Sequence, residues 1–108
     1  MDIQLDEIFA QRVGQPALVD SLVRLTRLAA QSDTGGANAA SQVLLAAYNG
    51  PDYPLDISEL GRLDPPHFED AMNVIRLRVE FGREPHEFFA DGGAVFEAIA
   101  AKWVPRPG

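Results

Sequence analysis

Apolar residues recur along this chain at three- and four-residue intervals and nowhere alternate with polar ones over the length of a strand, a pattern that predicts helices throughout. Between Pro16 and Gln31, Leu18, Leu22, Leu25 and Ala29 share one helical face, widened by Val19 and Val23. Asp20, Arg24, Arg27 and Gln31 fall on the opposite side, with Asp20 and Arg24 spaced for an ion pair one turn apart. Pro16 suits the first turn, and Ser32-Asp33-Thr34-Gly35-Gly36 stops the helix. The next helix, about 37–48, is alanine-rich and interrupted by only Asn38, Ser41 and Gln42, so it belongs in the middle of the molecule. Asn49-Gly50-Pro51 predicts a left-handed cap followed by a breaker.

In the second half, Asp56 and Glu59 have the spacing of a capping box on a short helix from Ile57. Asp64-Pro65 opens a longer one, 65–81. Phe68, Met72, Ile75 and Val79 form one apolar face of it and Val74, Leu77 and Phe81 another, which predicts a helix buried on two sides with Glu69, Asn73, Arg76 and Glu80 left wet. The segment 83–89 is expected to make a turn that inserts Phe88 and Phe89 into the core, and Asp91-Gly92-Gly93 to break it. A last helix, about 94–103, carries Phe96, Ile99, Ala100 and Trp103 on one face, and Asp2 to Val13 has the pattern of a further short helix. The expected fold is all-α: a compact single-domain bundle of five or six helices over 1–108, with its core in 16–103 and a tail at 104–108.

Composition narrows the chemistry. With 108 residues, 46% of them hydrophobic and 23% charged, the chain can close one ordinary core without a staple. It contains no cysteine, which removes disulfides, thiolate metal sites and cysteine nucleophiles. The first residues, Met1-Asp2-Ile3-Gln4-Leu5-Asp6-Glu7, are acidic where a secretory signal is basic, and the longest apolar run, Val43 to Tyr48, is far too short to span a bilayer. A cytoplasmic protein without a membrane segment is expected. The net charge of −7 repels a phosphate backbone, so direct nucleic-acid binding is not expected.

No group of residues converges on a recognisable reaction. Asp33-Thr34-Gly35 matches the aspartic-protease tripeptide but lies between helices rather than on a loop of an all-β fold, and reads as a helix stop followed by a cap. His67-Phe68-Glu69 has the spacing of half a zinc-deaminase site, which without cysteine ligands has no second half. The glycine pairs lack the lysine of a phosphate loop, and no serine sits in a nucleophile elbow. A helix-turn-helix at 57–81 would turn Asp64, Glu69 and Asp70 toward phosphates. No cofactor and no bound metal are expected.

The regional signal is acidity. Asp52, Asp56, Glu59, Asp64, Glu69, Asp70, Glu80, Glu84, Glu87 and Asp91 lie in one stretch, against Arg62, Arg76, Arg78 and Arg83. Gathered on one face, they would steer the domain onto a protein partner with a basic surface, including a nucleic-acid-binding one. The leading expectation is therefore a non-enzymatic, acidic protein-binding domain. Two alternatives stand beside it. One is a metal-dependent enzyme built from His67, Glu69 or Asp70, His86 and Glu87; the other is a structural homodimer joined through Trp103 and Phe88-Phe89 rather than a monomer.

Leu25-x-x-Leu28-Ala29-x-x-Ser32-Asp33-Thr34-Gly35, Leu44-Leu45-Ala46-x-Tyr48-Asn49, Leu55-Asp56-Ile57-x-x-Leu60 and Phe96-Glu97-Ala98-x-x-x-x-Trp103 together resemble a family of short proteobacterial proteins of unknown function, carried on chromosomes, plasmids and prophages. The resemblance spans about Leu18 to Trp103 and implies a helical fold without catalytic residues to transfer. The chain departs from that pattern at Tyr48, where an aromatic pair often precedes the asparagine, and in the acidic, proline-rich turn at Asp64. It is also similar in kind, though not in motif, to phage-encoded inhibitors such as anti-CRISPR proteins, an analogy that implies an inhibitory role.

Overall fold

Polar side chains at helix entries divide the chain into its elements. In the computed structural model, which describes residues 15–104, helix α1 covers Gln15–Gln31 and α2 covers Gly35–Asn49. A 3₁₀ helix, Ile57–Arg62, leads to α3, Pro65–Val79; a second, Pro85–Phe88, leads to α4, Gly92–Trp103. The fold is all-α, with no strand among the described residues. The helix expected at Asp2 to Val13 and the tail beyond Val104 lie outside the described residues.

Thr34 accepts a hydrogen bond from the Ala37 amide at 3.0 Å, so Asp33-Thr34-Gly35 is a joint between helices. Asp56 accepts from the Ser58 amide and Asp64 from the His67 amide, each at 3.0 Å. The capping box is only half made. Glu59 turns away from the Asp56 amide and accepts instead from Gln42 at 3.2 Å and Arg62 at 3.3 Å, tying the 3₁₀ helix to α2. Gly50 is right-handed (φ −58°, ψ −40°) rather than a left-handed cap, because Pro51 suffices to stop α2. The left-handed glycine is Gly82, φ 65°, just past α3.

Helix α2 touches α1, α3, α4 and both 3₁₀ helices, which makes it the central element. Its alanines, Ala37, Ala39 and Ala40, are fully buried, and their small side chains let neighbouring backbones approach. Around it Leu18, Leu22 and Leu25 of α1, Val43 and Leu44 of α2, Val74 and Leu77 of α3, and Phe96 and Ile99 of α4 form a single core. Among the described residues, helix α3 is not fully buried on two sides. Asp70, Ala71, Val74 and Leu77 face inward on α1 and α2, whereas on the other face Met72 and Ile75 are only partly buried, and Phe68 is 36% and Val79 72% exposed.

Two ties fix α4. Gly92 starts the helix two residues before the expected Ala94, and a Cβ at Gly92 would overlap the backbone carbonyl of His86. The close approach, not a break, is what needs a glycine there. At the other end Lys102 donates to the carbonyls of Ala29, Ala30 and Ser32 at 3.2, 3.2 and 2.7 Å, and the Trp103 indole to Ala29 at 2.8 Å. These are carbonyls that the end of α1 leaves without intrahelical partners, so α4 caps α1.

Candidate functional site

The ten carboxylates of the acidic stretch do not act alike. Asp56 and Asp64 are helix caps, and hydrogen bonds from the Ser58 hydroxyl and amide hold the Asp56 carboxyl below its ordinary value. Asp64 also lies 2.8 Å from the His67 ring. Asp52 accepts from Asn49 at 2.9 Å, Glu59 is shared between Arg62 and Gln42, and Glu80 stands 4.0 Å from Arg76. Glu87 pairs with Arg83 at 3.0 Å, which lowers its pKa. Glu69 and Asp91 are exposed and have no ion-pair partner among the described residues.

Asp70 departs furthest from the expected outward face. It is only 5% exposed, on the side of α3 that packs against α1. Arg24 meets it with two nitrogens, Nε at 3.2 and 3.1 Å from the two carboxylate oxygens and Nη2 at 2.8 Å from Oδ1. Arg24 Nη2 also donates to the Ser21 hydroxyl at 3.2 Å, which accepts from Asn73 at 2.9 Å. The local Asp20–Arg24 pair expected on α1 is thus replaced by a bidentate bond across 46 residues, because a buried carboxylate without a cation is costly and an exposed one is not. Asp70 is a structural residue.

A different arrangement forms where α2, the Pro85–Phe88 turn and α4 meet. Tyr48, near the end of α2, packs its ring 5.1 Å from Phe96 and edge-on to His86 at 5.2 Å. Its hydroxyl donates to Glu97 at 3.2 Å. Burial, then the Glu97 hydrogen bond and the negative charges of Glu97 and Glu84, raise the Tyr48 pKa. Glu84 stands 3.8 Å from the His86 ring, and His86 Nδ1 is buried with no hydrogen-bond partner among the described residues. The result is a half-buried aromatic pair between two exposed-edge carboxylates, backed by the Phe96 and Phe89 rings at 6.2 Å from one another.

The acidic stretch expected to bind a partner includes Glu84 but not Tyr48, His86 or Glu97, which stand around it in the fold. Tyr48, Phe96 and Glu97 stand in the stretches that carry the family resemblance, but nothing in their spacing shows that they meet. The histidines expected for a metal site have separate partners, His67 with Asp64 and His86 with Tyr48 and Glu84. Among the described residues no three or more His, Asp or Glu side chains are gathered as metal ligands. Of the residues expected to join a homodimer, Phe88 lies under Arg83 at 4.7 Å, Phe89 packs on Phe96 and Trp103 bonds to α1, and all three stay partly exposed. The large apolar side chains that are exposed are Ile57, Phe68, Val79 and Val104. No described helix is long and apolar enough to cross a membrane.

The chain belongs to a family of unknown function (DUF7673), whose sequence model matches residues 19–104. No curated protein and no solved structure matches it.

Proposed function

We propose that this member of a family without an assigned activity is a non-catalytic protein-binding domain, and that its binding surface is the Tyr48 corner rather than the whole acidic stretch. The observation that carries the reading is the Tyr48 ring, half-buried between His86 and Phe96, with Glu97 on its hydroxyl and Glu84 beside His86. Rigid aromatic rings supply contact area at small entropic cost, and flanking carboxylates select a cationic side chain to lie on them. An arginine or lysine of a basic partner fits that chemistry, and the net charge of −7 would speed its approach. In the finer form of the proposal the partner's basic surface is one that binds nucleic acid, and the domain inhibits by covering it.

The test is a titration with tetra-arginine peptide, read by the ring resonances of Tyr48 and His86. Saturable shifts that weaken steeply with salt are expected, and Glu84→Lys with Glu97→Lys should abolish them. A charge-matched double reversal, Asp20→Lys with Glu69→Lys, at exposed acids that have no ion-pair partner among the described residues, should change little. Equal losses from both reversals would show that only net charge matters, and would remove the Tyr48 corner as the site.

A further inference from the structure

Where the C-terminal half of α1 faces the first turn of α3 lies a shallow, open cleft of about 320 Å³ lined by Arg24, Arg27, Leu28, Gln31, Ser32 and His67. In a chain with 16 acidic and 9 basic residues, every ionisable side chain that lines this cleft is basic. We propose that it binds a phosphate group.

The two arginines differ in a useful way. Arg24 is held in place by the buried Asp70, which takes Nε and Nη2 and leaves Nη1 without a hydrogen bond among the described residues. Its side chain is 55% exposed and lines the cleft. Arg27, one turn on and exposed, has no ion-pair partner among the described residues, and it supplies the uncompensated charge. One guanidinium is thus oriented in advance and the other is free to close on a ligand, the pairing that planar forks offer to tetrahedral oxyanions. The Gln31 amide, the Ser32 hydroxyl and the His67 ring add donors around the rim.

Three features oppose an anion here: the carboxylates of Asp70 and Asp64, which already pair with Arg24 and His67, the helix end, and the overall charge. The end of α1 is the negative pole of its helix dipole, and Lys102, on the carbonyls of Ala29, Ala30 and Ser32 but also paired with Asp33 at 3.2 Å, offsets only part of it. The overall negative charge remains, screened beyond roughly 8–10 Å at physiological salt. The affinity is therefore expected to be weak for free phosphate and set by the local groups.

Inorganic phosphate titrated into the whole protein, against chloride at matched ionic strength, tests the proposal through the side-chain N–H resonances of Arg24 and Arg27. Saturable shifts with phosphate alone are expected. Arg27→Gln should weaken binding by about tenfold, the loss of one charge-assisted contact, and Arg27→Lys by less. Because Arg27 is exposed and unpaired in the described fold, thermal unfolding of both variants should match the parent. Shifts that grow linearly, that chloride reproduces, or that survive Arg27→Gln would each overturn the assignment.

Discussion

The junction of α1 with α3 and the corner around Tyr48 both bring an acidic side chain against a polar partner, and they use it to opposite ends. At the junction Asp70 has nearly all of its surface removed from water, and both of its oxygens are taken by Arg24. At the corner, among the described residues, Glu97 has only the Tyr48 hydroxyl at 3.2 Å, and Glu84 only the His86 ring at 3.8 Å. The first arrangement is complete without a ligand. The second keeps negative charge, an aromatic face and an unpartnered ring nitrogen at the edge of the core. Whether an acid belongs to the fold or to a surface that can bind is decided by what lies across the packing interface, not by its neighbours in sequence.

The sharpest way to break the corner is Gly92→Ala. The added methyl overlaps the backbone carbonyl of His86, which cannot swing aside as a side chain would, so the Pro85–Phe88 turn must move. Overpacking of this kind costs about 3 kcal/mol, visible as a lowered midpoint in urea, and it should displace the His86 and Tyr48 ring resonances together. A stable variant with both rings undisturbed would mean that the turn is not held against α4.

The junction is tested by an asymmetry. Arg24→Ala leaves a carboxylate buried without a cation and should destabilise by about 2 kcal/mol. Asp70→Ala leaves a guanidinium that already has 55% of its side chain exposed, and it should cost about 1 kcal/mol, because the released arginine turns to water. The double variant should cost less than the sum. Equal losses from the two single changes would contradict the description of Asp70 as the dependent partner.

These contrasts also mark what could be read along the chain. Helices announced themselves through local physics: Leu18, Leu22 and Leu25 recur with the helical period, and Thr34, Asp56 and Asp64 cap within three residues of themselves. The bond from Arg24 to Asp70 spans 46 residues, and no spacing rule could choose it over the nearer Asp20. Phe68 and Val79 fit an apolar face equally well whether or not another element covers it, and both are exposed among the described residues. Gly92 looked like a break because glycine is a poor helix former, whereas the need for it comes from His86 across the turn. The Tyr48 corner was invisible for the same reason: its members sit at positions 48, 84, 86 and 97, and only packing brings them together.

The smallest expected effect separates the two regions by pH. Burial, the hydrogen bond to Glu97 and the charge of Glu84 raise the Tyr48 pKa in the folded state above the ordinary value of about 10. Below that value the phenol is neutral in the folded and unfolded chains alike, and its contribution to stability is fully present. As pH rises through the ordinary value toward the raised one, the unfolded chain loses the proton first, so the contribution is lost. Tyr48→Phe cannot titrate and lacks the contribution, yet keeps the ring packing on Phe96 and His86. The stability difference between parent and variant should therefore shrink on the alkaline side of about pH 10 while Tyr53, common to both, cancels. Because the corner is partly hydrated the change is small, and curves that stay parallel would mean that the Tyr48 hydroxyl is as wet folded as unfolded. The Arg24–Asp70 junction carries no such alkaline arm of its own, since its guanidinium is already held above its ordinary value and keeps its proton throughout.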